Sequence, residues 1–211
     1  DGLAAVNYAP NQLKTSIKGI GVYINSETAY PFEDKVLMTV IPEQPETFTI
    51  QLRKPRWKGG IRVKAPGAIV FHTDDWIVLK KEWKSGDHIT VHFTPTVESK
   101  TLASGEIYWI RGPLVFALPI IAEKKAVKIY AIEDFADYDY TPASETFWEY
   151  STDPQGDSFK IKRLAMKGNP WEVSTLSIKV KLQTPQGQRV EVALKPYGSA
   201  ILRRTTFPVY K

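Results

Sequence analysis

Residues 48–57, FTIQLRKPRW, leave little freedom in how this chain can fold. Phe48, Ile50 and Leu52 alternate with Thr49, Gln51 and Arg53, the period of a strand with one buried and one polar face. Pro55 removes a backbone donor, so central strand pairing has to stop there. Trp57 follows, and Lys58-Gly59-Gly60 turns the chain into a second alternating run, Ile61-Arg62-Val63. Strand, proline stop, large aromatic and glycine turn together specify a β architecture.

The rest of the chain repeats that grammar. Long helical periodicity is scarce, and short alternating runs end on Gly, Pro, Asn or Asp, which predicts an all-β fold. Leu3–Ala9 reads as a first strand closed by Pro10-Asn11. Leu13–Ile17 and Ile20–Ile24 flank Lys18-Gly19 as a hairpin. Tyr30-Pro31-Phe32 reads as extended. Val36–Ile41, VLMTVI, is apolar on both faces, as a central strand requires. Ala68–Phe71 and Trp76–Leu79 surround the turn Thr73-Asp74-Asp75. In His88–Phe93, Ile89, Val91 and Phe93 are expected inside, and His88, Thr90 and His92 outside. Ile107–Ile110 and Leu114–Leu118 lie either side of Arg111-Gly112-Pro113. Beyond them, Val127–Ile132 reads as a strand and Glu133–Tyr150 as an acidic, aromatic loop. Leu176, Ile178, Val180 and Leu182 then alternate before a turn at Thr184-Pro185-Gln186-Gly187 and a partner strand Val190–Leu194. The expected fold class is therefore all-β, as two consecutive antiparallel β-sandwich modules, residues 1–110 and 111–211.

Composition narrows the function. A 211-residue chain with 43% hydrophobic and 24% charged residues can bury a core and is not a disordered tail. No apolar run approaches the roughly 20 residues of a spanning helix. The absence of cysteine excludes disulfides, thiolate metal sites and a cysteine nucleophile within the chain. The net charge of +5 arises from 13 basic against 12 acidic residues before Arg111 and 15 against 11 from there on. The two signs are interspersed, so neither nucleic acid nor membrane is an expected partner. The start, DGLAAVNYAP, has neither the basic residues nor the apolar core of a signal peptide. A chain beginning on Asp-Gly is expected to be a processed protein or an excised fragment.

Candidate chemistry is sparse. In DHITVH, His88 and His92 share a strand face but lie roughly 13 Å apart at about 3.3 Å per residue. Two nitrogens on one metal at about 2 Å each cannot be that far apart, so no metal site is expected there and His72 stands alone. Asp74-Asp75, Glu133-Asp134 and Asp137/Asp139 are carboxylate pairs of the kind glycoside hydrolysis uses across a cleft. Sequence proximity does not build a cleft, and Asp74-Asp75 suits a turn. No G-x-S-x-G or P-loop occurs, and Gly19-Ile20-Gly21 lacks the third glycine of a dinucleotide fingerprint. No catalytic residue and no cofactor are expected. Trp57, Trp76, Trp83, Trp109 and Trp171 are expected to pack in the core or at its edge. Tyr138, Tyr140, Trp148 and Tyr150, with Phe147, are the candidates for contact with a glycan or a neighbouring domain.

These residues carry a resemblance. FTIQLRKPRW resembles the L-R-x-P-x-W strand of the β-L-arabinofuranosidase family, glycoside hydrolase family 127. In order, Tyr30-Pro31-Phe32 with Val36 is similar to that family's Y-P-F…V, and Trp83-Lys84-Ser85-Gly86-Asp87 to its W-x-x-G-D turn. Gly112-Pro113-Leu114-Val115 is similar to G-P-L-V, Trp148-Glu149-Tyr150 to W-x-Y and Asn169-Pro170-Trp171 to N-P-W. Lys195-Pro196-Tyr197-Gly198, Leu202-Arg203 and Phe207-Pro208 are similar to the ending P-Y-G…L-R…F-P. Two positions depart: Lys64-Ala65-Pro66-Gly67 stands where an Asn-Gly turn is expected, and Lys81-Glu82 where an Arg is expected before the W-x-x-G-D turn.

The resemblance implies a non-catalytic C-terminal β-sandwich region of an arabinofuranoside-cleaving hydrolase. The implied partner is an N-terminal catalytic (α/α)-barrel, which holds that family's zinc-bound cysteines and glutamate acid/base. The chain is then expected to support the barrel and to contribute homo-oligomer or substrate-access contacts. The alternative is a carbohydrate-binding module that uses the loop aromatics.

Overall fold

The computed structural model describes residues 2–143, 149–152, 159–165, 168–172 and 174–210. They are all-β, in predominantly antiparallel sheets. No helix among them is long and apolar enough to cross a membrane. The chain divides into two compact units, Asp1–Thr96 and Val97–Lys211.

The first unit is a sandwich. One sheet has the order β1 (Gly2–Ala5), β5 (Glu46–Arg53), β8 (Trp76–Trp83), β7 (Ile69–His72). The other has β2 (Asn11–Ile17), β3 (Ile20–Thr28), β4 (Lys35–Pro42), β9 (Asp87–Phe93), β6 (Ile61–Lys64). Their inner faces meet in one apolar core. Val36, Met38 and Val40 come from β4, Phe48, Ile50 and Leu52 from β5, Ile77, Leu79 and Trp83 from β8, and Ile89, Val91 and Phe93 from β9. Strict alternation puts every second residue of these strands inside. His88 and His92 are on the outer face of β9, as the alternation in DHITVH predicts.

Local chemistry sets the turns. Ile17 pairs directly with Ile20, so Lys18-Gly19 is a two-residue hairpin loop. Both loop residues have positive φ, the I′-like geometry that matches strand twist. The first strand stops at Ala5, short of the expected Ala9, and runs parallel to β5. The segment from Tyr30 is a turn with a cis Tyr30–Pro31 bond, where an extended stretch was expected.

At the end of β5 the strand closes as its sequence requires. The Tyr8 hydroxyl donates to the Arg53 carbonyl (2.8 Å), and the Lys54 amide to the Asp75 carbonyl (2.7 Å). Trp57 then packs edge-on against Phe93, which also contacts Tyr8 and Tyr30. Gly59 takes φ +140°, and a Cβ there would collide with the Thr94 carbonyl. Trp57 is thus a packing anchor.

The W-x-x-G-D turn carries the chain from one sheet to the other. Trp83 is fully buried and donates from Nε1 to the Phe48 carbonyl (3.1 Å). Asp87 accepts the Lys84 amide (2.7 Å) and the Lys81 ammonium (2.7 Å). Lys81 also donates to the Pro66 carbonyl (2.9 Å). The two positions at which the sequence departs from the family pattern therefore touch each other.

The second unit is built on an eight-stranded sheet. Its path is β10 (Val97–Thr101), β11 (Ile107–Arg111), β12 (Leu114–Pro119), β18 (Arg189–Pro196), β17 (Leu176–Gln183), β15 (Ser151–Thr152). Two more strands join it, β16 (Lys160–Arg163) on β17 and β19 (Arg203–Arg204) on β12. The C-terminal segment closes it, since Phe207 bridges Ile107 and Val209 bridges Thr152. Inside lie Trp109, Phe116, Leu118, Phe207 and the alternating Leu176, Ile178, Val180 and Leu182 of β17. The expected module boundary at Ile110/Arg111 falls at the end of β11. There Arg111 pairs with Leu114, so Gly112-Pro113 is a tight hairpin turn rather than a linker.

Candidate functional site

Two features of the second unit present aromatic groups to solvent. The first is a two-stranded ribbon, β13 (Ala122–Ile129) with β14 (Ala136–Pro142). Residues 133–150 were expected to be loop, but β14 forms inside that stretch. Its alternation Ala136, Tyr138, Tyr140 against Asp137, Asp139, Thr141 is itself a strand signal, hidden by the acidic composition.

Tyr138 and Tyr140 are two residues apart, so they share one face. Tyr138 is paired with Ala126 and Tyr140 with Lys124. The Lys124 ammonium sits 3.6 Å from the Tyr138 ring centroid and occupies one side of that ring. On the opposite face, Tyr130 donates to Asp137 (2.7 Å) and Lys128 lies over the Tyr130 ring. Of the other expected contact residues, Tyr150 is half-buried just before β15. Trp148 and Phe147 lie outside the described residues.

The second feature is a cleft of about 440 Å³ lined by Pro113, Leu114, Val115, Trp171, Tyr197, Gly198 and Thr205. Three motifs that are far apart in sequence, G-P-L-V, N-P-W and P-Y-G, converge there. Trp171 is 43% exposed and Tyr197 46%, so Trp171, expected to pack in the core or its edge, is a cleft wall instead. Asn169 holds it by accepting the Trp171 amide on Oδ1 (3.1 Å). Gly198 makes room for the indole, since a Cβ there would lie 2.6 Å from two ring atoms. The Arg203 guanidinium stacks 3.6 Å from the Tyr197 ring centroid and donates to the Ile201 carbonyl (2.9 Å). The sequence signals for this cleft were a glycine directly after a tyrosine and an Asx-turn before a tryptophan. Neither signal says which segment it faces.

The carboxylate pairs do not build a reactive cleft. Asp75 faces Arg56 across 3.6 Å at an exposed turn. Asp137 and Asp139 lie exposed on one open strand face, opposite Lys128 and Lys125. Among the described residues, no group of three His, Cys, Asp or Glu side chains is placed to hold a metal ion.

Comparison with known proteins shows what the chain is similar to. Residues 2–94 match the family described as Beta-L-arabinofuranosidase, GH127 middle domain. No curated protein sequence matches. Among solved structures, a GH127 β-arabinofuranosidase superposes with a TM-score of 0.68 at 16% identity, covering 98% of this chain and 34% of its own. A GH127 β-L-arabinofuranosidase from Geobacillus stearothermophilus T6 gives 0.57 at 19% identity, with 97% and 33% covered. A protein titled glycoside hydrolase gives 0.56 at 17% identity, with 99% and 36% covered. The chain thus spans about a third of the length of the solved proteins it resembles, and at these identities the likeness is one of fold. Residues 2–94 of this chain thus match the GH127 middle-domain family, and nearly the whole chain shares its fold with about a third of each of these solved hydrolases.

Proposed function

We propose that the chain is a non-catalytic β-sandwich region of a glycoside hydrolase acting on arabinofuranoside-type plant glycans. Its task is to support the catalytic (α/α)-barrel and to shape oligomer or substrate-access contacts. The observation that carries the reading is the family match of the first unit as a middle domain. The open setting of the carboxylates supports it, because glycoside hydrolysis needs two carboxyl groups facing each other across a bound sugar. Incubating the 211-residue chain with arabinofuranosides should release no sugar. Sustained turnover by this chain would overturn the reading.

The Trp171–Tyr197 cleft favours a second reading, a carbohydrate-binding module. Flat aromatic faces cover the apolar C–H faces of sugars, and the cleft has the volume usual for small-ligand sites. Here the platform is Trp171, with Tyr197 beside it, one side of whose ring is taken by Arg203 as one side of Tyr138 is by Lys124. Calorimetry against arabinan and pectin fragments decides it. Heat that disappears in Trp171→Ala supports the module, and silence with every polysaccharide retires it.

A further inference from the structure

The β13–β14 ribbon has two unlike faces. In an antiparallel pair, directly opposed residues point the same way. One face therefore carries Ala122, Lys124, Ala126, Tyr138, Tyr140 and Pro142, and the other Glu123, Lys125, Asp139 and Thr141. The period of two would next place Lys128 on the apolar face and Ile129 among the charges. It does not, because the register shifts between Ala126 and Lys128. The extra residue, Val127, puts Lys128 opposite Asp137 and Ile129 opposite Ala136. The bulge thus returns Ile129 to the face of Ala126 and Tyr138, and sends Lys128 to the charged side. An alternating pattern corrected by a bulge is the pattern of a ribbon with one covered face.

Among the described residues that face is open. Ile129 is 79% exposed and Tyr138 41%. Ile132 and Phe135 at the tip are exposed as well. A two-stranded ribbon left to itself is marginal in water. The charged face has its own partners, in Tyr130 to Asp137 and Lys128 over Tyr130, so the apolar face is the one that needs cover.

Size decides what covers it. Eight residues at about 3.3 Å make the ribbon about 26 Å long, and two strands make it about 10 Å wide. That footprint of a few hundred Å² falls short of the roughly 800 Å² each partner of a stable free complex buries. A second copy or a diffusing protein would not be held by it. A surface on the same polypeptide would, because tethering supplies an effective concentration in the millimolar range. The solved relatives carry about two thirds of their length outside the part this chain matches.

We infer that the apolar face of the ribbon, Ala126, Ile129, Tyr138 and Tyr140, docks on an apolar surface of the covalently attached remainder of a longer hydrolase. The inference rests on the reading of the chain as a non-catalytic region. Lys124 is the charge on that face, so the receiving surface offers a carboxylate or carbonyl within its reach. The ribbon would then act as a clasp between this region and the catalytic portion.

Hydrogen exchange read by mass spectrometry tests it. The 211-residue chain is compared with the polypeptide expressed from its complete reading frame. Amides of residues 122–142 should exchange nearly unprotected in the short chain and about a hundredfold more slowly in the long one. Ile129→Lys in the long protein should restore fast exchange there while β5 and β8 peptides stay protected, which shows that the fold is intact. Equal exchange of the ribbon in both proteins overturns the docking, as does protection of the short chain that grows with its concentration, the mark of a second copy. A long protein that cleaves arabinofuranosides but leaves the ribbon unprotected overturns the clasp alone. A reading frame with no catalytic portion overturns the functional reading with it.

Discussion

The Lys81 ammonium lies 2.7 Å from the Asp87 carboxylate and 2.9 Å from the Pro66 carbonyl. One side chain thus ties the end of β8, the loop after β6 and the start of β9. Both ends of the ion pair are more than three-quarters covered. Trp83, two residues along, fills the core beneath the turn, and the lysine also lies within 5.6 Å of its ring centroid.

That geometry predicts a pH dependence. Partial burial alone would raise the Asp87 pKa. Hydrogen bonds from Lys81 and from the Lys84 amide, with the charges of both lysines, outweigh it and hold the carboxyl below its ordinary value. A carboxylate depressed in the folded state stabilises the fold above its unfolded pKa and loses that contribution as pH falls through the folded one. Asp87→Asn should cost about 1–2 kcal/mol near neutral pH. The cost should shrink once the pH is well below the ordinary carboxylate range. Urea unfolding of both proteins at the two pH values measures this, and a cost independent of pH would contradict it.

Trp83 should be the most sensitive aromatic of the first unit. It is fully buried and its indole N–H reaches the Phe48 carbonyl across 35 residues of sequence. Trp83→Phe keeps most of the ring but loses the donor and some volume, at about 1–2 kcal/mol. Trp83→Ala leaves a cavity and should cost about 3–5 kcal/mol. The midpoint of chemical denaturation ranks them. Equal effects of the two changes would mean that packing around the indole is loose.

What could be read from the sequence followed from how local the determinants are. Period-two alternation indicated which side of β5, β9 and β17 faces the core, because burial of one face leaves no freedom in register, whereas β4, apolar on both faces in sequence, has its inner side set by its neighbours. The Lys18-Gly19 hairpin was legible for the same reason, as two residues with positive φ decide it. β10 was missed, since Val-Glu-Ser-Lys-Thr has no apolar alternation and is held by its neighbour β11. β14 was hidden because its alternating face is exposed and interrupted by acids. The cleft of Trp171 and Tyr197 depends on segments 26 or more residues apart meeting through sheet pairing, which no local pattern reports.

Gly59 and Gly19 make a matched pair for testing local strain. Both have positive φ, but a Cβ at Gly19 would meet nothing within 4 Å, whereas one at Gly59 would abut Thr94, Trp57 and Pro95. Gly19→Ala should cost only the conformational penalty, about 1 kcal/mol. Gly59→Ala adds a clash with a backbone carbonyl and should cost clearly more, about 2–4 kcal/mol, with loss of the turn into β6. Thermal unfolding separates them. A Gly59→Ala protein as stable as Gly19→Ala would show that the 58–60 turn can relax.

Tyr8 should make the fold sensitive to alkali. Its hydroxyl donates to the Arg53 carbonyl (2.8 Å), and its ring packs on Tyr30 and Phe93. Burial, followed by the neighbouring Tyr30 phenol, pushes its pKa well above the ordinary value for tyrosine. The folded state therefore keeps the proton over a range in which the unfolded chain releases it. Stability is unaffected below the unfolded pKa of about 10 and declines as pH rises past it. Tyr8→Phe removes the titrating group and should flatten that part of the decline. It should also cost about 1 kcal/mol near neutral pH, because the Arg53 carbonyl at the end of β5 loses its donor. Denaturant unfolding across the alkaline range, with and without the substitution, tests both signs together. An unchanged alkaline slope in Tyr8→Phe would mean that Tyr8 ionises no differently in the folded and unfolded chain, and that the hydroxyl at the end of β5 is open to water.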